Sequence, residues 1–63
     1  YSKAGATLQG ARVKEGLSQV ELAEKLKISQ TNLSKMENGK RPIGKNMAKR
    51  LSKVLNINYR VFL

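Results

Sequence analysis

Gln19 and Gln30 each directly follow a serine, Ser18 and Ser29, and lie at positions 19 and 30. Serine in that place is a good helix N-cap, because its hydroxyl accepts from an otherwise unpaired N–H of the first turn. Both glutamines therefore read as the first residue of a helix. A carboxamide carries an acceptor beside two donors, the pattern that matches N6 and N7 of adenine. Thr31 adds a hydroxyl for a base edge and a methyl for thymine, and Lys35, one turn beyond it, suits O6 and N7 of guanine. Asn38, Gly39, Lys40 and Arg41 gather an amide, main-chain N–H groups and two cations in four consecutive residues. That set suits phosphate oxygens, which position a protein without reading sequence. The competing reading is plain: solvated glutamines behind two caps, and an Asn-Gly pair that only ends a helix.

Composition narrows the chemistry. The chain has 63 residues, thirteen Lys/Arg against four Asp/Glu, and a net charge of +9, with no histidine and no cysteine. Disulfides, thiolate nucleophiles, imidazole bases and Cys/His zinc sites are thereby excluded. The missing cysteines suit a reducing, cytoplasmic setting. No carboxylate pair or Ser/Lys arrangement looks catalytic, so no enzyme, cofactor or metal is expected. No apolar run approaches membrane-spanning length. Residues 35 to 63 hold eight basic residues and one acid, Glu37. Such a half suits a polyanion, because each phosphate contact releases condensed counterions. Lysines that merely keep a small protein soluble are the alternative.

The elements that must hold these residues follow from caps and stripes. Residues 1 to 6 read as a flexible lead-in to one domain spanning 1 to 63. The first helix reads from Thr7 to Glu15, with Leu8, Ala11 and Val13 inward and Gly16 just past its end. Ser18 and Glu21 form a capping box for a helix from Gln19 to about Leu26, with a stripe of Leu22, Ala23 and Leu26. Lys27 and Ile28 make a short turn. The third helix runs from Gln30 to about Asn38, burying Leu33 and Met36, and Gly39 supplies the left-handed residue after it. Beyond Pro42 a fourth helix runs from about Gly44 to Leu55, with Met47, Ala48, Leu51, Val54 and Leu55 on one side. Lys45, Lys49 and Lys53 lie on the opposite side, as a solvated face. Asn58 caps a final turn from Tyr59 to Phe62. The class is all-α, with four helices and a terminal turn.

Two short capped helices joined by a tight turn are the helix-turn-helix signature, whose second helix enters the major groove of DNA. From Gly16 to Pro42 the chain reads GLSQVELAEKLKISQTNLSKMENGKRP. This stretch resembles the Cro/cI-type (XRE) repressors, and weaker agreement runs from Leu8 to Leu63. The spacing of Gln19 to Gln30 and the Glu37-Asn38-Gly39 triplet carry the resemblance. It implies a lambda-repressor-like domain of four to five helices, acting on double-stranded DNA in the cytoplasm, on the nucleoid of a bacterium or from a phage genome. It implies base contacts by Gln30, Thr31 and Lys35, and a phosphate contact by Gln19, which also braces Gln30. It further implies a structural salt bridge between Arg12 and Glu37. Lys27 departs from the pattern, since these repressors often carry glycine there. A left-handed lysine would be strained by about 1 kcal/mol.

The tail Leu55 to Leu63 is rich in apolar residues for the end of a soluble monomer. Ile57 and Phe62 are expected inward, with Tyr59, Val61 and Leu63 at a homodimer interface. Three functions fit: a transcriptional repressor reading a palindrome; an antitoxin that also binds a toxin protein; or a non-specific nucleic-acid or protein-interaction module.

Overall fold

The computed structural model describes residues 3–63, and among them all regular structure is helical. Four α-helices follow in order: α1 (Lys3–Lys14), α2 (Gln19–Leu26), α3 (Gln30–Glu37) and α4 (Lys45–Leu55), then a 3-10 turn over Tyr59–Phe62. Leu8, Leu22, Leu26, Leu33, Leu51 and Leu55 are fully buried at their meeting point, with Ala23, Met36, Ala48 and Phe62 around them. No helix is long and apolar enough to cross a membrane among the described residues.

α1 starts earlier than its sequence suggests. Residues 3 to 6, expected as a flexible lead-in, are helical, while Tyr1 and Ser2 lie outside the described residues. The cause is tertiary. Gly5 is buried against the end of α3, where an added Cβ would sit 2.5 Å from the Glu37 carbonyl oxygen and 2.6 Å from that of Met36. Only glycine lets the two backbones approach so closely. Val13, expected inward, is 61% exposed. It stands five residues past the buried Leu8, about 140° around the helix. Arg12 occupies the inward position instead.

α2 and α3 are set by their caps. Ser18 Oγ accepts from the Glu21 N–H at 3.1 Å, and the Glu21 carboxylate accepts from the Ser18 N–H at 2.8 Å. Ser29 Oγ accepts from the Asn32 N–H at 3.1 Å. α3 stops at Glu37, with Asn38 as its C-cap. α4 has Gly44 as its N-cap, without a side-chain bond.

Every α-helix is followed by a left-handed residue: Gly16, Lys27, Gly39 and Asn56, with φ of 71°, 57°, 75° and 55°. After α2 the Ile28 N–H reaches Ala23 O and the Lys27 N–H reaches Glu24 O, the paired bonds of a Schellman motif. The Arg50 guanidinium donates to Leu26 O, so α4 satisfies another carbonyl at that helix end. The turn between α2 and α3 is thus held from both sides, which fixes the angle at which α3 leaves the body.

Candidate nucleic-acid interface

Gln30, Thr31 and Lys35 are all exposed on one side of α3. Together with Gln19, Ser34, Asn38 and Lys40 they line one open concavity. The fold therefore gathers six of the residues expected to bind into one surface. Ser34 joins them unexpectedly. It lies one turn after Gln30 and its hydroxyl accepts from Asn38 Nδ2 at 3.3 Å; the i+4 spacing was the available signal.

Behind this surface runs a continuous chain of polar side chains. Arg12 Nε donates to Glu37 Oε2 at 2.7 Å, and Arg12 Nη2 to Glu37 Oε1 at 3.2 Å. Arg12 Nη1 also donates to Leu17 O at 2.9 Å. Gln19 Nε2 donates to Glu37 Oε1 at 3.1 Å, and Gln30 Nε2 donates to Gln19 Oε1 at 3.3 Å. The chain ties α1, α2 and α3 together at the point where Gln30 emerges. The Glu37 side chain is 3% exposed and that of Arg12 12%. Removing either partner of so buried a pair costs about 3–5 kcal/mol, because the other charge stays behind. The link from Gln19 to Glu37 spans 18 positions and has no local signal in the sequence.

The loop after α3 differs from expectation. The N–H groups of Asn38, Gly39, Lys40 and Arg41 are engaged by Ser34 O, Met36 O, Lys35 O and Lys35 O respectively. Main-chain N–H groups are thus used to end the helix rather than offered to phosphate. Gly39 contributes its left-handed φ, and the cationic side chains of Lys40 and Arg41, both exposed, are what the loop presents.

The tail divides. Phe62 is buried and Ile57 half-buried against the core. Val61 and Leu63 point outward, at 47% and 68% exposure. Tyr59 packs partly on the core, with Lys49 Nζ 5.7 Å from its ring centroid. Tyr59 is therefore mostly a monomer contact, while Val61 and Leu63 border a groove shared with Lys3, Ala4 and Thr7 of α1. Lys45, Lys49 and Lys53 are exposed along α4.

Two short helices in this arrangement, the second bearing an exposed polar face, define a DNA-binding helix-turn-helix domain. The model of the helix-turn-helix family matches residues 8–62, and the chain belongs to that family, in its Cro/cI-type (XRE) branch. It is a family of DNA-binding regulators rather than of enzymes. No curated protein matches the chain.

Proposed function

We propose that this protein is a sequence-specific transcriptional repressor that reads a palindromic operator with α3 in the major groove. The observation that carries the reading is Gln30. It is the first residue of α3, exposed, and hydrogen-bonded to Gln19 rather than free to rotate. A braced amide at the tip of a groove-entering helix is suited to bidentate adenine contact. Thr31 and Lys35 extend base contact along the same face. Gln19, Asn38, Lys40 and Arg41 contact phosphates on either side, through side chains. Such a protein works in the cytoplasm, where the DNA is.

A module this small reads only a few base pairs, each adding about 1–3 kcal/mol of discrimination. Two copies related by a twofold axis double the contacts and place their recognition helices about 34 Å apart. Val61 and Leu63, exposed side by side at the tail, are apolar groups free to join them, apart from the exposed Val13 and Val20.

Selection from a random duplex pool supplies the operator. Gln30→Ala is then expected to relax specificity at one base pair per half-site, at about 1–3 kcal/mol. Arg41→Ala is expected to weaken all sequences alike and to reduce the log K against log salt slope by about one unit. Unchanged discrimination at every base in Gln30→Ala would sink the base-reading role, and a loss confined to one base in Arg41→Ala would sink the phosphate role.

A further inference from the structure

Gln30 can face a base in two ways, and the two select different bases. With Oε1 outward and Nε2 partly engaged inward, it offers one acceptor and one donor, the complement of adenine N6 and N7. With Nε2 outward and Oε1 inward it offers two donors, the complement of guanine O6 and N7. An isolated glutamine has no preference between them. We propose that Glu37 is a positioning residue that sets the direction of the Gln30 amide, and with it the base that Gln30 reads. This rests on the reading of Gln30 as a base contact.

The argument is one of donor and acceptor inventory. A carboxylate only accepts. Glu37 Oε1 therefore requires Gln19 to present Nε2, which it does at 3.1 Å. That leaves Gln19 Oε1 facing Gln30, so Gln30 must present Nε2, which it does at 3.3 Å. The outward group of Gln30 is then Oε1, with one remaining N–H beside it. Arg12 anchors the far end, since a guanidinium only donates and its bonds at 2.7 and 3.2 Å hold the carboxylate in place. The direction of each amide thus follows from the charged end of the chain, which lies buried beneath α1 rather than at the DNA surface.

Glu37→Gln makes the logic testable. Arg12 donates to both carboxylate oxygens, so the new amide keeps its one oxygen on Arg12 Nε, the shorter bond, and gives up the longer Arg12 Nη2 bond by setting its nitrogen at the Oε1 position, toward Gln19. Gln19 then reverses, and Gln30 reverses after it. A second variant reaches the same end without disturbing the ion pair. Gln19→Lys places a donor-only group between Glu37 and Gln30, so the ammonium bonds the carboxylate on one side and draws Gln30 Oε1 inward on the other. Arg12→Met weakens the fold but leaves the carboxylate, and so leaves the direction unchanged.

The experiment uses duplexes carrying the selected operator and its single-base variants, with each protein's folding followed by circular dichroism. At the base pair whose readout Gln30→Ala abolishes, the wild type is expected to prefer adenine over guanine by about tenfold or more. Glu37→Gln and Gln19→Lys are expected to lose that preference and favour guanine. Arg12→Met is expected to bind more weakly with the adenine preference kept. Retention of the adenine preference in Gln19→Lys, which does not depend on Glu37→Gln folding, would overturn the proposal. So would an equal loss in Glu37→Gln and Arg12→Met, which would mean that the ion pair acts only by holding the helices. A Gln30→Ala variant with unchanged preference would instead overturn the base contact itself.

Discussion

Lys27 has a φ of 57°, and Asn56 one of 55°. For a residue with a Cβ the left-handed conformation costs about 1–2 kcal/mol, and asparagine tolerates it best. Glycine escapes that cost but loses more freedom on folding, by about 0.5–1 kcal/mol. The difference favours Lys27→Gly by about 0.5–1 kcal/mol. Thermal denaturation should show a rise of a few degrees, and Asn56→Gly should gain less. A lower melting temperature in Lys27→Gly would mean that the lysine side chain contributes something that outweighs its backbone strain. The Schellman bonds around Lys27 explain how the strain persists: two N–H groups and the Arg50 guanidinium hold that helix end in place.

At the scale of elements, caps and close approaches set where helices start and how near they come. The Glu21 carboxyl is held below its usual range chiefly by the Ser18 N–H, then by the Ser18 hydroxyl, with desolvation opposing them and Lys25 adding the smallest attraction. A depressed carboxyl contributes stability that is present above its ordinary titration range and lost as pH falls through the folded value. The melting temperature of the wild type should therefore exceed that of Glu21→Ala near neutrality and converge with it in acid. Curves that stay parallel down to that acid range would reject the capping contribution. The glycines of α1 make an opposed pair. Gly5→Ala gains helix propensity but drives a Cβ into the Met36 and Glu37 carbonyls. It should destabilise by about 1–3 kcal/mol and displace the end of α3, weakening DNA binding as well. Gly10→Ala has nothing within 4 Å of its new Cβ and should stabilise by about 1 kcal/mol. Chemical denaturation of the two variants side by side checks both signs.

For the whole molecule the proposed twofold dimer makes a geometric demand. The body measures 23 × 22 × 20 Å, less than the roughly 34 Å between recognition helices of a twofold dimer, so two copies on one operator would sit side by side. Val61 and Leu63 line a groove with Lys3, Ala4 and Thr7 at the start of α1. Because Val61 is half exposed and Phe62 closes the core, Val61→Asp should leave the monomer folded. It should convert cooperative binding of two half-sites into weak binding of one. Wild-type operator affinity in that variant, measured by titration against a palindrome and an isolated half-site, would refute the dimer.

What the sequence determined by itself is what local chemistry determines. Ser18, Glu21 and Ser29 place the starts of α2 and α3, because a cap bonds a backbone N–H two or three residues away. The left-handed positions of Gly16 and Gly39 are legible for the same reason, and so is the helix-turn-helix pattern that gives the family. The tertiary structure decided whatever depends on residues distant in the chain. α1 reaches back to Lys3, where Gly5 meets the end of α3 across a long stretch of chain. Val13 faces water because Arg12 is drawn inward by Glu37. The N–H groups of the loop after α3 are engaged at the helix end, so the loop presents the side chains of Lys40 and Arg41. The direction of the Gln30 amide comes from a carboxylate seven residues along the chain, acting through a glutamine on another helix. A sequence can supply the donors and acceptors of such a chain, but only folding decides which of them face one another.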